Sequence, residues 1–263
     1  MFRVPLAAAI AAAVVTRAAV AQAPRDPRAV QPERPTVATH AYAVAPGYLE
    51  LELGAERDRD NPGSYGMAFP ATVKLGLSSH VQLNLTNPVI HPIGVPTGLG
   101  DLNVALKWRV LDHAKLLGDF AIMPGLKLPT APTSNGRGTG TWDASLLLIS
   151  SRQIGPVAVD LNAGLTRRSG DGSVVPRWAS LWTVSTGGPL AGKFGWVLEW
   201  YGYPGTSGPV GQPPLVALLA GPTFTPLSWL AFDAGLVGPI AGPQPRAIYV
   251  GSVVNFGRLW RVH

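Results

Sequence analysis

From Asp101 to Val110 the chain alternates without a fault: Leu102, Val104, Leu106, Trp108 and Val110 interleave with Asp101, Asn103, Ala105, Lys107 and Arg109. Successive side chains of a strand point to opposite faces, so this segment has one apolar and one polar face. The pattern recurs. Leu49, Leu51, Leu53 and Ala55 alternate with Tyr48, Glu50, Glu52, Gly54 and Glu56; Phe69 to Leu77 and Val81 to Leu85 repeat it. Further segments lie at 117–128, 141–151, 156–168, 178–187, 194–203, 215–225, 229–238 and 246–256, which makes twelve. Most have the roughly 9 to 11 residues with which a tilted strand crosses a bilayer, and the number is even.

Helical alternatives fail on proline. The 33 residues between Glu199 and Asp233 carry no charge, yet Pro204, Pro209, Pro213, Pro214, Pro222 and Pro226 cut them into pieces too short to span as helices. With 31 Gly and 26 Pro in 263 residues and 14% charged residues, an all-β chain rich in turns is the fitting class. No Cys is present, which removes disulfides, thiolate metal sites and a Cys nucleophile from consideration. The net charge of +6 is scattered singly and forms no stripe for nucleic acid.

The first residues read as a secretory signal, 1–21. Arg3 precedes an apolar run from Val4 to Val15, and Ala19-Val20-Ala21 offers a cleavage site before Gln22, with Ala21-Gln22-Ala23 as a second candidate. Residues 22–46, with Pro24, Pro27, Pro32, Pro35 and Pro46, read as a flexible periplasmic lead-in, and 47–263 as the barrel.

Connection lengths alternate between short (near Ser78-Ser79, 111–115, 152–155, 188–193 and 226–228) and long (58–65, 87–98, 129–140, 169–177, 204–214 and 239–245). Outer-membrane barrels alternate in this way, short turns facing the periplasm and long loops the outside. A soluble sandwich would share the alternation of faces. It would not place Phe69, Trp142, Trp178 and Trp200 near one end of the strands and Trp108, Trp196, Phe224, Trp229 and Phe256 near the other, as interfacial belts do. The expectation is a single closed antiparallel transmembrane β-barrel of about twelve strands.

Its polar face puts Glu50, Glu52, Glu56, Asp101, Asp119, Asp143, Asp160, Glu199 and Asp233 inside with Lys74, Lys107, Arg109, Lys127 and Arg168. Such a lumen favours cations if it conducts; as a brace, the charges pair across strands at about 0.2 to 1 kcal/mol each. A hairpin turning near Asn61 to Gly63 brings Glu50 towards Lys74, and a turn near His113 brings Lys107 towards Asp119. His40, His80, His91, His113 and His263 make no Ser-His-acid set by spacing. Asp58, Asp60 and Asn61 match no complete calcium loop, and Asn135 to Gly140 lacks the Lys and helix of a phosphate cradle. The reading is therefore a passive channel and not an enzyme, with no cofactor or metal. Its partners are outer-membrane lipid and a small-molecule solute, and the sequence specifies no oligomeric state. Competing classes are a structural barrel with a blocked lumen and a membrane-embedded lipid hydrolase.

Several local motifs carry a resemblance: Gly98-Leu99-Gly100-Asp101-Leu102-Asn103, Leu126-Lys127-Leu128-Pro129-Thr130, Gly138-Thr139-Gly140 before Trp142-Asp143, Ile154-Gly155-Pro156, and Glu199 in the ninth strand. Over most of 47–256 the chain resembles the outer-membrane family labelled for the meta-cleavage pathway of phenol degradation, described as transporters. The resemblance implies passage of small hydrophobic or aromatic compounds and assigns no transport residues.

Overall fold

The computed structural model describes residues 26–61, 64–91, 96–170, 176–205, 214–243 and 246–260, so the expected signal segment lies outside the described residues. Twelve antiparallel strands follow one another around the barrel: β1 (Tyr48–Asn61), β2 (Ser64–Phe69 and Ala71–Gly76), β3 (Val81–Thr86 and Val89–His91), β4 (Gly98–Leu99 and Leu102–Ala114), β5 (Gly118–Leu128), β6 (Asp143–Ile154), β7 (Val157–Arg168), β8 (Trp178–Ala191), β9 (Phe194–Tyr203), β10 (Leu215–Leu227), β11 (Leu230–Ala241) and β12 (Arg246–Arg258). Three strands are interrupted, at Pro70, at Asn87-Pro88 and at Gly100-Asp101. A proline there donates no ladder bond, which accounts for the first two breaks. Pairing of β12 with β1, from Tyr48↔Arg258 to Arg59↔Arg246, closes the sheet and leaves no edge. Closure lets ladder donors and acceptors pair within the wall, as lipid demands, with local breaks at bulges such as those after Arg109 and Val216.

Short turns gather at one end. Gly155 (φ +59°) and Gly192 (φ +58°) adopt the left-handed conformation that such tight connections need. The 58–65 loop expected from sequence is instead strand: β1 and β2 stay paired up to Asn61↔Ser64, so Asp58, Asp60 and Asn61 belong to β1 and form no loop site. Outward positions are apolar and exposed, among them Leu53, Leu106, Trp108, Leu148, Leu161 and Ile248. On a membrane barrel this face meets acyl chains.

The largest departure from expectation is at the start of the described chain. Residues 26–46 run through the lumen as an arch with no regular structure, and Ala38, Ala41 and Val44 are almost wholly buried. Proline and mixed charge argue against a packed element only when a segment must satisfy its own backbone. Inside a polar-walled barrel, side chains of the wall supply the missing partners.

Candidate functional site

The arch enters at the short-turn rim, where Val30 N–H donates to Ser228 O at 2.8 Å and the Arg28 guanidinium lies 5.0 Å from the Trp229 ring centroid. It rises along β1 and β12, crosses to β9, then descends past β7, β6, β5 and β3 into β1. Seven of its backbone N–H groups donate to wall side chains. Gln31 donates to Glu50 Oε2 (3.0 Å), Glu33 to Glu52 Oε1 (2.7 Å), and Val37 and Ala38 to the two oxygens of Glu199 (2.8 and 2.6 Å). Thr39, Ala41 and Val44 donate to Asn162, Ser151 and Gln82, each at 2.8 Å. An unpartnered buried amide costs about 1 to 3 kcal/mol, so this set decides whether the arch can stay inside.

Glycines at inward positions clear its path. A Cβ on Gly76 would lie 2.1 Å from Ala45 O, and one on Gly54 or Gly251 would lie 2.2 or 2.3 Å from the Arg34 guanidinium. Gly54 and Gly251 face each other across β1 and β12, and Arg34 lies on that seat, ion-paired to Asp233 at 3.2 Å.

Charge is matched with the same economy. Lys74, fully buried, reaches Glu50 Oε1 and Glu52 Oε1 at 2.7 Å each, and the register pairs Glu50 directly with Lys74 as the sequence predicts. The expected Lys107–Asp119 pair does not form. The turn is centred near Leu116 and not His113, and bulges after Arg109 and Leu111 shift the register, so Lys107 sits several residues away from Asp119 along the hairpin. Lys107 meets Glu33 of the arch and the His40 carbonyl instead. Burial alone would raise the Glu33 carboxyl, yet Lys107 and Lys74 hold it well below its ordinary range. Asp119 accepts from the Tyr42 hydroxyl (3.0 Å), and Asp160 accepts from Ser151 Oγ (2.5 Å).

The remaining charges sit at the ends of the barrel. Asp101 binds the 129–142 loop, accepting from Ala131 N–H (3.1 Å) and from the Thr139 N–H and hydroxyl (2.9 and 3.0 Å). Lys127 pairs with Asp143 at 2.5 Å, Arg168 donates to Pro176 O at 3.0 Å, and Glu56 faces Tyr249 across β1 and β12. At the short-turn end, Arg109 Nε meets Asp112 at 2.6 Å.

Spacing gave no Ser-His-acid set, but folding assembles one. Ser79 Oγ lies 2.8 Å from His80 Nδ1, and His80 Nε2 lies 2.8 Å from Asp112 Oδ2. Both His80 (40%) and Asp112 (47%) are solvent-exposed and Asp112 is already neutralised by Arg109, so the set braces the β2–β3 turn against β4.

The arch divides the lumen. On its long-loop side, two cavities of about 470 and 400 Å³ share Ala105, Met123, Ser145 and Leu147 as lining. Leu181 and Tyr203 extend the apolar side, while Thr72, Asn84 and Thr86 line the polar one. On the short-turn side lie a cavity of about 180 Å³ under Pro35 and a mouth of about 690 Å³ around Tyr42 and Arg109. A packed cluster of Tyr201, Leu219, Val237 and Tyr249 fills the β9–β12 side of the long-loop half.

Sequence reasoning missed Glu33, Arg34, His40 and Tyr42, because they lie in a segment read as a lead-in. The available signal was glycine at inward strand positions, which asks for something else to fill the space.

No protein-family model matches the chain, and no curated protein matches it in sequence. Among solved structures, it is similar to an outer membrane channel from Pseudomonas putida F1, with a TM-score of 0.62 at 11% identity over 86% of this chain and 100% of that one. It is also similar to the NanC porin, with a TM-score of 0.53 at 8% identity over 78% of this chain and 98% of that one. At these identities the likeness is one of fold: an outer-membrane β-barrel of the kind seen in channels and porins.

Proposed function

We propose that this chain is a passive outer-membrane channel, exported through the periplasm, that admits small, largely apolar solutes of the aromatic kind and performs no catalysis. The observation that carries the reading is the pair of joined cavities above the arch, apolar on the Met123, Leu147, Leu181 and Tyr203 side and lined by hydroxyls and amides on the other. A small ring bearing a hydroxyl suits such a surface, since binding pockets combine apolar walls with a few polar groups that orient the ligand. The lining charges are engaged, Lys127 with Asp143, Arg168 with Pro176 O, Arg34 with Asp233, Glu33 with Lys107 and Glu52 with Lys74, which leaves an uncharged solute the better match. Fold similarity to channels and porins supports the same reading.

The arch itself favours a second reading, a structural barrel with a closed lumen. Reconstitution separates the two. Purified protein in planar bilayers gives discrete current steps, and proteoliposomes take up phenol faster than protein-free liposomes do, if the channel reading holds; electrical silence together with uptake no faster than in protein-free liposomes supports the closed barrel. Release of fatty acid from the liposomes would instead revive hydrolysis.

A further inference from the structure

The two limbs of the arch are held in different ways. The descending limb, 37–46, is tied by backbone N–H bonds to β9, β7, β6 and β3 and runs directly into β1. At the short-turn rim the ascending limb, 26–36, is tied by Val30 N–H to Ser228 O at 2.8 Å and by the Arg28 guanidinium to Asn255 O at 3.1 Å. Its top carries two charged anchors, Glu33 towards β3 and β4 and Arg34 towards β11 and β12. Arg34 donates to Asp233 Oδ1 at 3.2 Å and to Val250 O at 3.3 Å, and it occupies space that exists only because Gly54 and Gly251 lack side chains.

This seat is written into four separated positions, 34, 54, 233 and 251. Glycine opposite glycine weakens a strand pair, so two of them facing inward at one register are explained by what they accommodate. At the top of the arch the guanidinium is the charged link to the β11–β12 wall, Arg28 bonding to Asn255 O at the foot, whereas Glu33 bonds to the opposite side through Lys107, Gln82 and Asn84. Losing the Arg34 contact frees the top of the arch from one wall while the other still holds it, which is the geometry of a hinged flap.

We propose that Arg34, seated on Gly54 and Gly251 and paired with Asp233, is the latch of a gate, and that its release lets the top of the arch move off the β11–β12 wall and join the cavities on its two sides, both of which Arg34 lines. This deepens the channel reading by naming what controls the passage, yet its test does not require conduction. The chain has no cysteine, so Ala38→Cys introduces a single thiol at a site only 2% exposed. The rate of its modification by a charged methanethiosulfonate reagent reports opening of the arch. In the refolded barrel, Arg34→Ala and Asp233→Asn, each combined with Ala38→Cys, should both accelerate modification at least about tenfold, as loss of a charge-assisted hydrogen bond implies. His80→Ala, which removes an exposed contact to Asp112 at the β2–β3 turn, should leave the rate unchanged.

Folding is checked by heat-dependent gel migration; if Arg34→Ala does not fold, Asp233→Asn alone decides. Unchanged rates in a folded variant overturn the latch. A silent wild type with accelerated labelling would sink the channel reading and leave the latch standing. A conducting wild type with unchanged labelling would do the reverse.

Discussion

The two halves of the lumen solve the same problem oppositely. In the short-turn half, a polar wall meets the polar backbone of the arch, and Glu50, Glu52, Lys74, Lys107, Glu199 and Asp233 each find a partner. In the long-loop half, the interior is mixed, packed around Tyr201 and Tyr249 on one side and open on the other, where Met123 and Leu147 share the lining with Lys127, Asp143 and Arg168. Charge in a barrel interior is therefore no sign of an open, charged pore: here the wholly buried charges, Glu50, Lys74, Lys107 and Glu199, mark the half that is filled.

If the filled half depends on matched charge, Lys74→Met should cost about 3 to 5 kcal/mol, since it leaves Glu50 and Glu52 buried without a cation. Urea unfolding in detergent measures this; a loss below about 1 kcal/mol would break the contrast. The wall predicts the next largest effect. Leu148→Arg, directed to lipid near mid-strand, should cost about 2 to 4 kcal/mol, whereas Arg at Ser145, which lines the cavity, should be tolerated. Refolding yields into vesicles compare the two.

Asn162→Ala should cost about 1 to 3 kcal/mol, because Thr39 N–H loses its acceptor. The corresponding cut in the upper half, Lys127→Met, breaks a more exposed pair and should cost less than about 1 kcal/mol. Equal losses in the same unfolding assay would erase the distinction between the halves.

The smallest effect is local and pH-dependent. Burial tends to raise the Asp101 carboxyl, but the amides of Thr139 and Ala131 and the Thr139 hydroxyl more than offset it and hold it below its ordinary range. A depressed folded-state value means the contribution is complete above the ordinary aspartate range near about pH 4 and is lost as pH falls through the lowered value. A spin label on Asn135→Cys should therefore gain mobility only in strong acid, with no change between neutral pH and about pH 5. Mobility already high at neutral pH would show that Asp101 does not hold the loop.

The barrel was legible because its cause is local. Alternation between Asp101 and Val110 places Leu106 and Trp108 outside and Lys107 inside whatever the rest of the chain does, and the hairpin arithmetic brought Glu50 to Lys74. The same arithmetic failed for Lys107 and Asp119, since bulges and a displaced turn change the register without altering the alternation. The arch was illegible for a different reason. Pro32, Glu33, Arg34 and Pro35 have the composition of a solvated tail, and their partners lie from about twenty to two hundred positions away in sequence.

By itself, then, the sequence determined the strands, their faces, the even count and the inward direction of the charges, because a period of two fixes which side chain points where. Only the tertiary structure decided what those charges do. Closing the sheet brings β1, β3, β9 and β11 around one interior, and only there do Glu52, Gln82, Glu199 and Asp233 surround a segment that could satisfy its own backbone nowhere else in the barrel.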